Sequence, residues 1–186
     1  MTEEIQKTFD QLQLGNTILY PTDTVWGLGC DATNPEAVAK IYDLKKREES
    51  KALICLVSDI RMLERFVENI PEVAYDLIEA ADRPTTIIYD HPVGIAKNLV
   101  AADNTLAIRI PDDEFCQKLI RKFKRPIVST SANISGEPTP KHFDEISDDI
   151  KNNVDYIVNI KDTKKTVKPS TIIQLRSNGE IKIIRS

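Results

Sequence analysis

Histidine, cysteine and aromatic side chains are all scarce in this chain of 186 residues: two histidines, three cysteines, and aromatics at 6%. Cys30, Cys55 and Cys116 are odd in number and form no Cys-x-x-Cys or Cys/His cluster, which argues against a disulfide framework or a zinc site. Cys55, within "ALICLV", reads as a small buried apolar residue. His91 in "DHPVG" and His142 in "PKHFD" read as loop or helix-face residues rather than catalytic bases. A Ser-His-Asp hydrolase therefore has little support, and "SANISG" is not the Gly-x-Ser-x-Gly elbow. No run of 18 apolar residues exists, so no membrane span is expected. The opening "MTEEIQKTFDQLQ" has no apolar signal-peptide core, and a cytosolic protein is expected. The formal net charge of -4 argues against non-specific nucleic-acid binding as the main role, although a local basic pocket remains open.

What is present is an ordinary globular balance, 41% hydrophobic and 29% charged, and a single domain over 1–186 is expected. "TEEIQKTFDQLQLG" spaces Ile5, Phe9 and Leu12 for a helix that Gly15 stops. "TILY" is a strand. Asn34 caps a helix that carries Pro35 at its first position. "ALICLV" is a strand covered on both faces. Ser58 or Asp59 caps the next helix, and another follows Pro71. "TTIIY", "TLAIRI" and "PIVS" are strands, with a helix opened by Asp112 or Asp113 between the last two. Thr139 and Pro140 restart a helix. "DYIVNI", "STIIQL" and "EIKIIR" are strands, the last two joined by a turn at "SNG". Strands interleaved with helices make an α/β domain, and the closing hairpin makes a mixed sheet.

Four stretches carry chemistry, each at or beside a strand end. In "YPTDTVWGLGCDA" Thr22 and Thr24 straddle Asp23, and Gly27 and Gly29 permit close backbone approach. The plain reading is a turn whose hydroxyls bond their own backbone. "LKKREESK" places Lys45, Lys46 and Arg47 where a helix ends, where cations also suit the dipole. "TLAIRIPDD" sets Arg109 inside an apolar strand, so it must lie at an edge or face an anion. Alternation puts Thr105, Ala107 and Arg109 on one face, with Asp112 or Asp113 as a possible internal partner for the arginine. "STSANISGEPTP" spends small hydroxyls, an amide, a glycine and two prolines after a strand, more than a turn needs.

Together these stretches resemble the YrdC-type threonylcarbamoyl-AMP synthase family over essentially the whole chain. "ILYPTDTVWGLGCDA" is similar to its amino-terminal signature. "KKR" at Lys45 to Arg47 is similar to its Lys-x-Arg motif, "AIRIP" to its arginine strand, and "STSANISGEPT" to its Ser-x-Asn loop, here Ser131 and Asn133. "PSTII" and the "IIR" ending at Arg185 are similar to its closing motifs. The chain departs from that pattern at Glu48, where proline is usual, and at Lys51, a charge in place of an uncharged contact. It departs again at Leu56, where a histidine is often found, and in "ADRPTT", which contains Arg83.

The resemblance implies an open twisted mixed sheet with flanking helices and a large concave cavity. It also implies a reaction: L-threonine, bicarbonate or CO2, and ATP with Mg²⁺ give threonylcarbamoyl-AMP and pyrophosphate. The product feeds a tRNA threonylcarbamoyl transferase that modifies the adenosine next to the anticodon. By the same resemblance Lys45, Arg47, Lys51, Thr105, Ser131, Asn133, Thr139 and Arg185 line the ATP side. Thr22, Thr24, Arg109, Ser129 and Ser170 line the threonine side. No residue is assigned as an acid or base, and no protein-held metal is expected. The phosphoryl step needs positioning and charge neutralisation more than a strong base. Two other readings stand beside this one: a non-catalytic double-stranded-RNA- or rRNA-binding maturation factor of the same fold, with tRNA as a further candidate RNA partner, and a carbamoyl-group handler working on another acceptor.

Overall fold

The computed structural model describes residues 1–47, 53–160 and 170–186. Among the described residues nine strands form one mixed sheet: β1 (Ile18–Pro21), β2 (Trp26–Gly29), β3 (Ile54–Leu56), β4 (Thr85–Asp90), β5 (Thr105–Arg109), β6 (Ile127–Ser131), β7 (Tyr156–Ile157), β8 (Thr171–Leu175) and β9 (Ile181–Arg185). Their order is β7-β1-β2-β6-β3-β5-β4-β8-β9. Helices α1 (Thr2–Gln13), α2 (Pro35–Lys45), α3 (Ile60–Leu63), α4 (Val73–Glu79), α5 (Glu114–Phe123) and α6 (Asp148–Asn153) accompany it. The mixed α/β architecture read from the sequence is the one observed. No helix among the described residues is long and apolar enough to cross a membrane.

Local chemistry fixes several boundaries. Asn34 Oδ1 accepts from the backbone N–H groups of Glu36 and Ala37 at 3.0 and 3.2 Å, and Pro35 opens α2. Asp59 caps α3 and Asp113 caps α5, each accepting from a backbone N–H three residues on, which decides both alternatives left by the sequence. Gly179, at a φ of +87°, turns β8 into β9. On α1, Phe9 meets Phe123 of α5 edge-on at 6.3 Å, as its helical spacing with Ile5 and Leu12 requires.

Two expectations are corrected, and one strand was not expected. No helix restarts at Thr139 and Pro140; a single 3-10 turn spans Phe143–Glu145, and α6 begins only after Ser147, whose hydroxyl caps it. "DYIVNI" yields only the two residues of β7, paired parallel to β1. Strand β2 went unread because two of its four residues are glycine, which propensity disfavours in strands. The glycines are there for proximity: a Cβ on Gly29 would stand 2.6 Å from Val128 O and 2.7 Å from a Tyr20 ring carbon.

The pairing registers divide the two faces of the sheet. Val128, Cys55, Ile108, Ile87 and Ile173 form one row across five strands, and all five are buried. On the opposite face run Ser129, Ile54, Ala107, Ile88 and Gln174, and beside them Ile127, Leu56, Arg109, Thr86 and Ile172. There Ile54, Ala107, Ile88 and Gln174 are only half-buried. Apolar burial on the first face holds the sheet together; the second is left partly open.

Candidate functional site

The partly open face collects most of the residues assigned to the threonine side, all of them buried: Thr22, Thr24, Arg109, Ser129 and Ser170. The β1–β2 hairpin supplies the first two. Thr22 Oγ1 accepts from the Thr24 backbone N–H at 3.1 Å and lies 3.1 Å from the Thr24 hydroxyl. Part of the plain turn reading therefore holds. Thr24 also reaches outward, accepting from Arg109 Nη1 at 3.3 Å. Ser129 lies in β6, where a Cβ on Gly27 would come within 3.3 Å of its hydroxyl. Tyr20, buried beside it, donates to Val128 O at 3.3 Å. Burial, followed by the nearby Cys116 thiol, holds the Tyr20 phenol well above its ordinary titration range, so it serves as a neutral donor.

Arg109 is ion-paired inside the protein, but not with Asp112 or Asp113. Its Nη2 lies 3.0 Å from Asp23 Oδ1, and the two side chains are only 4% and 5% exposed. Asp23 Oδ2 accepts from the Asp112 backbone N–H at 3.2 Å, so Asp112 enters through its main chain. Asp113 is occupied as the cap of α5. Leu56, where the family pattern often has histidine, pairs directly with Arg109 across β3 and β5 and is fully buried.

A row of polar groups leads from Arg109 across the sheet. Thr86 is its neighbour on β4, and the Thr86 and Ser170 hydroxyls lie 3.0 Å apart. Arg185, on β9, donates to Ser170 O from Nε at 3.0 Å and from Nη2 at 2.8 Å. The register thus joins residues assigned to the two substrates through Ser170. Thr86 and Tyr20 were not among the candidates read from the sequence, and Asp23 was noted only as lying between two threonines.

The Ser131–Asn133 loop is held from below. Lys45, 1% exposed, donates from Nζ to Ser131 O at 2.6 Å and to Asn133 O at 2.7 Å, while its own carbonyl accepts from the Ser135 N–H at 2.8 Å. Desolvation, with Arg47 as the lesser cause, lowers the Lys45 ammonium from 10.5 to about 8. Asn133 Nδ2 ties the loop to itself through Ile134 O and Glu137 O, and its Oδ1 is buried with no hydrogen-bond partner among the described residues. Of the other ATP-side candidates, Arg47 is half-buried and Lys51 lies outside the described residues. The Thr105 hydroxyl donates to Asp103 at 2.7 Å, and Thr139 is exposed. Among the described residues no group of three or more His, Cys, Asp or Glu could hold a metal ion.

An open mixed sheet with arginines and small hydroxyls on its half-open face, latched loop included, is an architecture for gripping small anionic ligands. The family model described as Sua5/YciO/YrdC, telomere recombination, matches residues 10–186, and the chain belongs to that family. It is 35% identical over 149 residues to the threonylcarbamoyl-AMP synthase of Bacillus subtilis, covering 79% of this chain and 43% of that protein. It is 31% identical over 173 residues to that of Vibrio campbellii, covering 89% and 93%. The structure of Pyrococcus abyssi Sua5 complexed with L-threonine superimposes with a TM-score of 0.84 at 31% identity, over 92% of this chain and 50% of that one. The chain thus spans about half the length of some relatives and nearly all of others.

Proposed function

We propose that this chain is a threonylcarbamoyl-AMP synthase that makes threonylcarbamoyl-AMP and pyrophosphate from L-threonine, bicarbonate or CO2, and ATP carried with Mg²⁺. The observation that carries the reading is Arg109: a buried guanidinium on the half-open face, flanked by Thr24 and joined through Thr86 and Ser170 to Arg185. The names of the relatives and the threonine complex support it. In this reading the threonine carboxylate takes the Arg109 fork. Its amine combines with CO2 to give a carbamate, whose oxygen attacks the α-phosphorus as pyrophosphate leaves. Arg185, Arg47 and the Ser131–Asn133 loop bind and orient the nucleotide, and positioning rather than proton transfer does the catalytic work. Mg²⁺ enters as part of the nucleotide substrate. The product then passes to a separate tRNA transferase.

The distinction from an RNA-binding factor of the same fold is direct. ATP with Mg²⁺ at millimolar concentration is expected to raise the melting temperature, and random-sequence double-stranded RNA to raise it less. No shift with ATP, or a larger shift with RNA, removes the enzymatic reading.

A further inference from the structure

The carboxylate of Asp23 stands where the proposed function puts the carboxylate of the substrate. Its contact with Arg109 is one-pronged. Asp23 Oδ1 faces Nη2 at 3.0 Å without a hydrogen bond of good geometry, and Arg109 Nε is buried with no partner among the described residues. A carboxylate engages arginine best through two parallel N–H···O bonds, and this pair forgoes one of them. The other oxygen, Oδ2, is tied to the Asp112 backbone N–H, so the carboxylate is stretched between two anchors and matches neither as a fork. Beside it lies a cleft of about 540 Å³ lined by Asp23, Arg83, Thr85, Asp112 and Gln117 among others. It is roomy enough to hydrate a carboxylate oxygen that lets go of the arginine.

We infer that Asp23 is a resident stand-in for the substrate carboxylate: it neutralises Arg109 while the site is empty and yields the guanidinium when an amino acid binds, turning toward the cleft beside it. The inference rests on Arg109 being the carboxylate fork of the proposed reaction. It makes Asp23 an affinity-setting residue, and it fixes a sign. If Asp23 served only to orient Arg109, removing its charge would weaken threonine binding; if it competes for Arg109, removing its charge strengthens binding.

Asp23→Asn separates the two, since asparagine keeps the size and an acceptor for the Asp112 N–H. Calorimetric titration is expected to show threonine binding about tenfold tighter than in wild type, equivalent to about 1.4 kcal/mol, with ATP affinity unchanged within about twofold. Threoninamide, which lacks the carboxylate, should gain nothing. The ligand-free variant should melt lower than wild type, and threonine should raise its melting temperature by the larger increment. Threonine binding equal to or weaker than wild type in a folded Asp23→Asn overturns the exchange. Should the variant fail to fold, a structure of wild type with threonine decides. An Asp23–Arg109 separation beyond about 4 Å supports the exchange, and an intact pair with threonine seated elsewhere overturns it. A wild-type protein that binds no threonine at all would remove the synthase reading and the exchange with it, whereas threonine binding without the gain in Asp23→Asn would remove the exchange alone.

Discussion

Arg109→Lys is expected to raise the Michaelis constant for threonine by about tenfold or more while leaving that for ATP within about twofold. Lysine keeps the positive charge, so Asp23, 5% exposed beside it, is not left as a buried unpaired anion. What is lost is the planar fork, including the Nε that has no partner among the described residues and the bond from Nη1 to Thr24. A charge-assisted hydrogen bond contributes about 1.5–3 kcal/mol, which is tenfold or more in binding. Arg109→Ala would be a poorer test, because stripping one partner from a buried ion pair costs about 3–5 kcal/mol and threatens the fold. Steady-state kinetics with each substrate varied in turn reads the result; equal losses for both substrates, or none for threonine, would take Arg109 out of the substrate site.

Lys45→Met should be the more damaging change to turnover, and for a reason other than phosphate contact. The Lys45 ammonium holds Ser131 O and Asn133 O at 2.6 and 2.7 Å. Methionine fills the space but leaves both carbonyls without their charged donor, at about 1–3 kcal/mol for each group. A loop released by that much should lower turnover by more than tenfold, with threonine affinity less affected than ATP affinity. The pH dependence of stability has a definite sign. Folded Lys45 titrates near 8, against an ordinary 10.5. Between these values the unfolded chain binds more protons than the folded one, so wild type gains stability relative to Lys45→Met as pH rises through that window, and the difference is constant below it. Denaturant titrations of both proteins across pH 7 to about 10.5 check this; a difference that shrinks with rising pH would mean that the ammonium is not desolvated as the structure has it.

Both variants bear on what the sequence could and could not reveal. The cap at Asn34 was legible, and those at Asp59 and Asp113 to within one residue, because a short polar side chain before an apolar period has one dominant local use. Arg109 was legible as an oddity, a charge inside "TLAIRI". Its partner was not. Asp112 and Asp113 are near in sequence, but the carboxylate that reaches it, Asp23, lies on the β1–β2 hairpin, and only the long-range strand order β2-β6-β3-β5 brings the two together. Lys45 was read as a nucleotide contact because "KKR" resembles the Lys-x-Arg motif and ATP brings negative charge for cations to meet. The αL turn at Lys46 and the path of the Ser131–Asn133 loop instead bury it against carbonyls, and neither is a property of the local sequence. The helix expected at Thr139 and Pro140 failed because proline at a first turn permits a helix without requiring one; the Ser147 hydroxyl places the start eight residues later.

Threonine, CO2 and the α-phosphate of ATP are expected to be joined on this chain. Incubating the protein with labelled bicarbonate, ATP, Mg²⁺ and each amino acid in turn, and separating the products, tests it most directly. The expected result is a labelled adenylate formed with threonine, one pyrophosphate released for each label incorporated, and no adenylate when ATP or the amino acid is left out. Release of pyrophosphate without label in the adenylate, or label carried on an acceptor other than an amino acid, would contradict it.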